Sequence, residues 1–64
     1  MKPTINSQFV DVNQGNIFEI LAAVRYALRK NKQYDDAKEV TERVFASASY
    51  EEAKQICFEY VEVV

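Results

Sequence analysis

From Ile17 onward, apolar residues return at steps of three and four: Ile17, Ile20, Leu21, Val24, Ala27 and Leu28. At 100° per residue these positions line one face of a helix. Asn16 supplies an N-cap, Glu19 stands at the capping-box position, and Gly15, the only glycine, marks the turn before them. Arg29, Lys30 and Lys32 gather at the far end, where positive charge meets the negative end of the helix dipole. Asn31 is expected to turn the chain in a left-handed conformation. The pattern predicts a first helix over 16–31.

Two further amphipathic segments follow, and they begin alike: "QYDDAKEV" returns sixteen positions later as "SYEEAKQI". In the later copy Ser49 and Glu52 form a Ser-x-x-Glu capping box, and in both copies the first turn carries two acids that face the positive dipole end. After Val40 and Ile56 the two segments diverge. The echo is therefore a shared way of starting a helix. The second helix, over 34–48, is expected to bury Ala37, Val40, Thr41, Val44, Phe45 and Ala48, with Tyr34 on the same stripe, and to pair Glu39 with Arg43 on its wet side. The third, over 50–62, is expected to bury Tyr50, Ala53, Ile56, Cys57, Tyr60 and Val61. Its end, "YVEVV", is β-branched enough to turn extended instead, as is the arm "TINSQFVDV", which leaves a short β pairing of arm and C-terminus open.

Three such helices on short connections close one core most simply as an antiparallel bundle. The expectation is an all-α fold: a compact three-helix bundle in a single domain over 1–64, with an extended N-terminal arm over 1–15. At 64 residues such a core is small. A hydrophobic content of 48%, with four Phe and four Tyr, is nevertheless enough to fold it and argues against disorder.

Charge divides the chain. The first 32 residues carry Lys2, Arg25, Arg29, Lys30 and Lys32 against Asp11 and Glu19; the second 32 carry Lys38, Arg43 and Lys54 against eight acids. Such asymmetry either attracts neighbouring helices within the fold or marks a charged contact surface. Cys57 is the only cysteine and histidine is absent, which excludes an internal disulfide and a Cys/His zinc site. A reducing cytoplasm is the expected compartment. The apolar stretches are broken by Glu19 and Arg25, so neither a leader peptide nor a membrane span is expected.

Candidate chemistry is sparse. There is no histidine for acid–base work, no nucleophile–base constellation and no glycine-rich phosphate loop. Asp35, Asp36, Glu51 and Glu52 sit where helix starts favour negative charge. A cation site would require carboxylates converging from separate helices. No enzyme activity, cofactor or metal is expected. Cys57 falls on the core stripe, where a free cysteine acts as a small apolar residue.

The cations Arg25, Arg29, Lys30 and Lys32 are the best case for nucleic acid, because clustered cations displace counterions from phosphates. A helix-turn-helix reading of the second and third helices fails, since the recognition helix would carry Glu51, Glu52, Glu59 and Glu62 against Lys54. Among the aromatics, Phe58 lies about 140° from Ala53 on the helical wheel, and Phe18 and Tyr26 stray from the first helix's stripe. Phe9, Val10 and Val12 of the arm are expected to cover Phe18. For Phe58 cover and exposure stand equally open.

"YDDAKEVTERVF" resembles the second helix of a tetratricopeptide repeat, with Tyr34 and Ala37 at matching positions. Arg25 stands where that repeat wants a small residue, and the chain is too short to stack several repeats. Over a longer span, the order Gly15-Asn16-Ile17-Phe18, "AVRYALRK", an acidic helix, Ser49-Tyr50-Glu51 and Tyr60-Val61-Glu62-Val63 is similar to small uncharacterised proteins encoded by phages and conjugative transposons of Gram-positive bacteria. That resemblance implies a mobile-element setting inside the cell and carries over no functional residues. The expected function is a non-enzymatic module that binds a protein partner, host or element-encoded, or a second copy of itself. Tyr26 and Phe58 are its expected apolar contacts, and Arg25, Arg29, Lys30 and Lys32 its steering charges. The alternative is a nucleic-acid-associated regulator using the basic end of the first helix.

Overall fold

The computed structural model describes residues 2–64. The chain order is β1 (Thr4–Ile5), α1 (Ile17–Lys30), α2 (Tyr34–Phe45), α3 (Tyr50–Phe58) and β2 (Glu62–Val63). The three helices pack around one core, and the arm and C-terminus join as a two-stranded parallel sheet with Thr4 opposite Glu62 and Ile5 opposite Val63. Glu62 N–H donates to Pro3 O, Val64 N–H to Ile5 O and Ser7 N–H to Val64 O, each at 2.9 Å. The open alternative at the chain ends is thus the one the molecule adopts.

The caps work as the sequence implies. Asn16 Oδ1 accepts from Phe18 N–H at 2.7 Å, and Ser49 Oγ accepts from Glu52 N–H at 3.1 Å. At the end of α1 the left-handed residue is Lys32, with φ 63°, one position beyond the expected Asn31. Lys32 N–H donates to Arg29 O and Gln33 N–H to Leu28 O, closing the helix end. Gly15 owes its identity to close approach: a Cβ there would lie 2.2 Å from Asp11 O, the carbonyl that accepts the Gly15 N–H.

Two helices end sooner than expected. α2 stops at Phe45 because both the backbone N–H and the hydroxyl of Ser47 bond to Val44 O, which turns the chain toward the next cap. α3 stops at Phe58. Its last turn carries no cation to complement the dipole, and the β-branched residues beyond it gain partners in the arm.

Ile20, Leu21, Val24, Ala27 and Leu28 of α1, Ala37, Val40 and Val44 of α2, and Ala53, Ile56 and Cys57 of α3 form the centre of the core. Ile5, Val12 and Val61 close its end from the arm and C-terminal segment. The large residues expected in the core from the second helix are not there: Tyr34 and Phe45 are exposed, as is Ala48, and Thr41 is half-buried. With Ala37, Val40 and Val44 facing inward, Tyr34 and Phe45 fall about 60° or more to one side, outside the line that faces the core. In α3, Tyr50 is likewise partly exposed and Tyr60 is half-buried.

Candidate functional site

Four residues of α1, Phe18, Ala22, Arg25 and Arg29, follow one another at i, i+4, i+7 and i+11. In α2, Tyr34, Lys38, Thr41 and Phe45 have the same spacing. Each set is a stripe within roughly 60° on the helical wheel, just outside the buried face. The helices run antiparallel, so the stripes meet in reverse order. Phe18 lies against Phe45, with ring centroids 6.1 Å apart and planes tilted by 41°, while Arg25 and Arg29 share a cleft of about 330 Å³ with Tyr34, Lys38, Thr41 and Glu42. Phe18 is 61% exposed and Phe45 66%, so the rings cover each other only in part. A second hollow continues past the Phe pair toward Ala48 and Tyr50.

Elsewhere the polar groups are committed to holding the fold. Arg43 makes two hydrogen bonds to the Glu59 carboxylate, at 2.9 and 3.1 Å, and a third to the Tyr60 hydroxyl at 3.0 Å. Tyr60 in turn donates to Glu39. The expected Glu39–Arg43 pair along α2 is thereby replaced by a clamp from α2 to the end of α3. Arg43 holds the Glu59 carboxyl below its usual value, and burial, with the Glu39 hydrogen bond, raises Tyr60. On the other side, Lys54 Nζ donates to Asn13 O at 2.8 Å and lies 5.1 Å from the Tyr50 ring centroid, and the Tyr50 hydroxyl donates to Gly15 O. The Asp11 carboxyl accepts the Gln14 and Asn13 N–H groups, which lower its pKa.

The α1 cations are not committed in this way. Among the described residues, neither Arg25, Arg29, Lys30 and Lys32 nor Lys38 forms an ion pair; the pairs present are Arg43–Glu59 and Lys54–Glu51. The opposite charges of the two halves of the chain therefore do not neutralise each other by direct contact, and the cationic surface is presented to solvent.

The expected contact residues separate. Arg25 and Arg29 enter the α1–α2 cleft. Tyr26, 69% exposed, stands beside them on the outer face of α1 and also borders a second, apolar cleft of about 430 Å³ with Ile5, Phe9, Val10 and Lys30. Lys30 thus faces the arm, and Lys32 sits in the turn. Phe58 does not join them: it is half-buried and packed against the core, which decides the open choice between cover and exposure toward cover. Phe18 reverses the opposite expectation, since the arm buries Val12 and Ile5 and leaves Phe9 in water. Phe45, Tyr34 and Lys38 were absent from the expected contacts. By sequence, Tyr34 and Phe45 belong to the core stripe beside which their interval runs, and Lys38 counts only as one of the charges of the second half.

Among the described residues no three Cys, Asp or Glu side chains converge as a metal-binding group, and no helix is long and apolar enough to cross a membrane. Cys57 is fully buried, and burial pushes its thiol up to about 11. No protein-family model, curated protein or solved structure was found to match the chain.

Proposed function

We propose that the chain is a non-enzymatic interaction module that binds a protein partner through the α1–α2 flank. The observation that carries this reading is the contiguity of a solvent-facing Phe18–Phe45 pair with three cations, Arg25, Arg29 and Lys38, that have no ion-pair partner among the described residues. Aromatic anchors beside arginines are what interfaces use to concentrate binding energy, and cations at the edge raise the rate of encounter with an acidic partner. Tyr26 extends the surface around α1. In the cytoplasmic, mobile-element setting implied by the resemblance, the partner is a host or element-encoded protein.

The test is capture of partners from the native cell by the protein and by a variant carrying Phe18→Ser and Phe45→Ser. Both rings are largely in water, so the variant should fold, as circular dichroism will check, and should lose the partner. A folded variant that retains every partner refutes the reading.

A second reading, nucleic-acid binding, draws on the convergence of Arg25, Arg29 and Lys38 in one cleft. Three phosphate contacts would give a log–log salt slope of about −2.7. Titration of duplex and single-stranded DNA at two salt concentrations separates the readings. The Phe pair farther along the same flank, which a phosphate backbone does not use, favours a protein; Glu42 within the cleft lowers its net positive charge for either partner.

A further inference from the structure

The two stripes define more than a patch, because they have a length, a depth and a direction. From Phe18 to Arg29 is eleven residue steps along α1, about 17 Å at helical rise. At mid-length the stripes carry Ala22 and the half-buried Thr41, the latter folded back to donate its hydroxyl to Ala37 O at 2.8 Å. Small or retracted side chains between bulkier ends make a saddle along which another helix approaches closely. One end of the saddle is apolar: Phe18 and Phe45, with Tyr50 beyond. The other is cationic on balance: Arg25, Arg29 and Lys38 against the single acid Glu42, with Tyr34 lining the cleft between α1 and α2.

Resting on the function proposed above, we infer that the occupant of this saddle is an amphipathic helical segment of a protein partner, about three turns long, apolar where it meets Phe18 and Phe45 and acidic where it meets Arg25, Arg29 and Lys38. Charge selects this occupant over a second copy of the chain. Two copies joined by the same flank either set three cations against three or lay the cations on the Phe rings, an attractive cation–π contact that still leaves six positive charges in one interface without an anion. A phosphate backbone matches the cationic end alone and leaves the Phe pair in water.

The experiment uses the full chain, isotope-labelled for amide NMR, and a blocked alanine-based helical peptide of about 16 residues. The peptide carries leucines in two turns and glutamates on the same face of the next two. Its controls replace the glutamates by lysine or the leucines by serine, or alternate the two residue types along the length. The acidic probe is expected to shift the amides of Phe18, Ala22, Arg25, Lys38 and Phe45 saturably, and each control to bind at least about tenfold more weakly. The variant with Arg25→Glu, at a half-buried position, and Arg29→Glu, at an exposed one, is checked for folding by circular dichroism and is expected to prefer the lysine probe.

Equal binding of acidic and basic probes, no binding of the acidic probe, or shifts confined to another face overturns the inference. A failure here is distinguishable from failure of the proposed function. If the Phe18→Ser, Phe45→Ser variant loses its cellular partners while the acidic probe is ignored, the module reading stands and the helical, acid-ended occupant is wrong.

Discussion

Lys32 is held at φ 63° at the end of α1, where its N–H and that of Gln33 cap the helix. A side chain in this region costs about 1–2 kcal/mol through the clash of Cβ with the backbone. Glycine avoids that cost, at the expense of about 0.5–1 kcal/mol for the greater freedom of the unfolded chain. Lys32→Gly also removes a cation from the helix C-terminus, worth about 0.3 kcal/mol at an exposed site. The net is a gain of about 0.5 kcal/mol, or roughly 2–4 °C in melting temperature for a domain of this size. Lys32→Ala keeps the backbone cost and loses the charge, so it should melt slightly below the parent.

Thermal unfolding followed by circular dichroism compares the three proteins, and repeating it at high salt removes most of the charge contribution. Under those conditions the glycine variant should still exceed the alanine variant. If the glycine variant melts at or below the alanine variant, Lys32 is not in the left-handed region and the account of how α1 ends is wrong. The substitution is also useful functionally, because it deletes one expected steering charge without loosening the fold.

Gly15→Ala places a methyl group 2.2 Å from Asp11 O and should cost about 1–3 kcal/mol in chemical denaturation; an unchanged midpoint would mean that the turn opens freely. Cys57, with no exposed surface and a thiol near pKa 11, should react with a disulfide reagent at pH 8 at least about 100-fold more slowly in the native protein than in denaturant, and comparable rates would contradict its burial. Asp11 and Glu59 both have folded pKa values below their ordinary 3.8 and 4.5, so their contribution is complete above those values and is lost as pH falls through the lower folded ones. Melting temperature should therefore hold from neutrality to about pH 5 and decline below about pH 4, and a flat profile through pH 2 would show that neither carboxylate supports the fold.

What the sequence exposed was governed by neighbours in the chain. Asn16 and Ser49 cap through N–H groups two and three residues away, and the core stripe of α1 follows from one helical period. What it hid was governed by distant partners or by competing local geometry. Arg43 has Glu39 four residues away yet bonds to Glu59, because the bend after α3 brings a carboxylate and a tyrosine to the same guanidinium. Phe45 has the size and oiliness of a core residue, but α2 is so short and its inward line so narrow that Ala37, Val40 and Val44 fill the available contact. Lys32 carries the left-handed turn although Asn31 is the better-suited type, since the helix keeps one more residue before it closes. Arg25 and Arg29 were legible as candidates; that Tyr34 and Lys38 complete their cleft depended on the antiparallel pairing of α1 with α2.

The twin segments around Tyr34 and Tyr50 carry this division into function. Both tyrosines open a helix ahead of two acids, yet Tyr50 donates to Gly15 O beneath Lys54 and fixes the turn that leads into α1. Tyr34, 60% exposed, instead lines the cleft beside Arg29 and Lys38. The same local sequence therefore does two jobs, decided by what lies across from it. Around α3 and the arm, the polar side chains Arg43, Glu59, Tyr60, Tyr50 and Lys54 are tied to one another or to backbone carbonyls. Along the α1–α2 flank, Phe18, Phe45, Arg25, Arg29 and Lys38 add little to holding the domain together. In a core this small, large apolar side chains left out of the fold's own contacts and gathered on one face mark a surface suited to cover by another molecule, while the cations beside them are well hydrated and set the charge that molecule must match. That contrast within one molecule sets the flank apart from the clamped surfaces and is the ground for proposing it as the docking face.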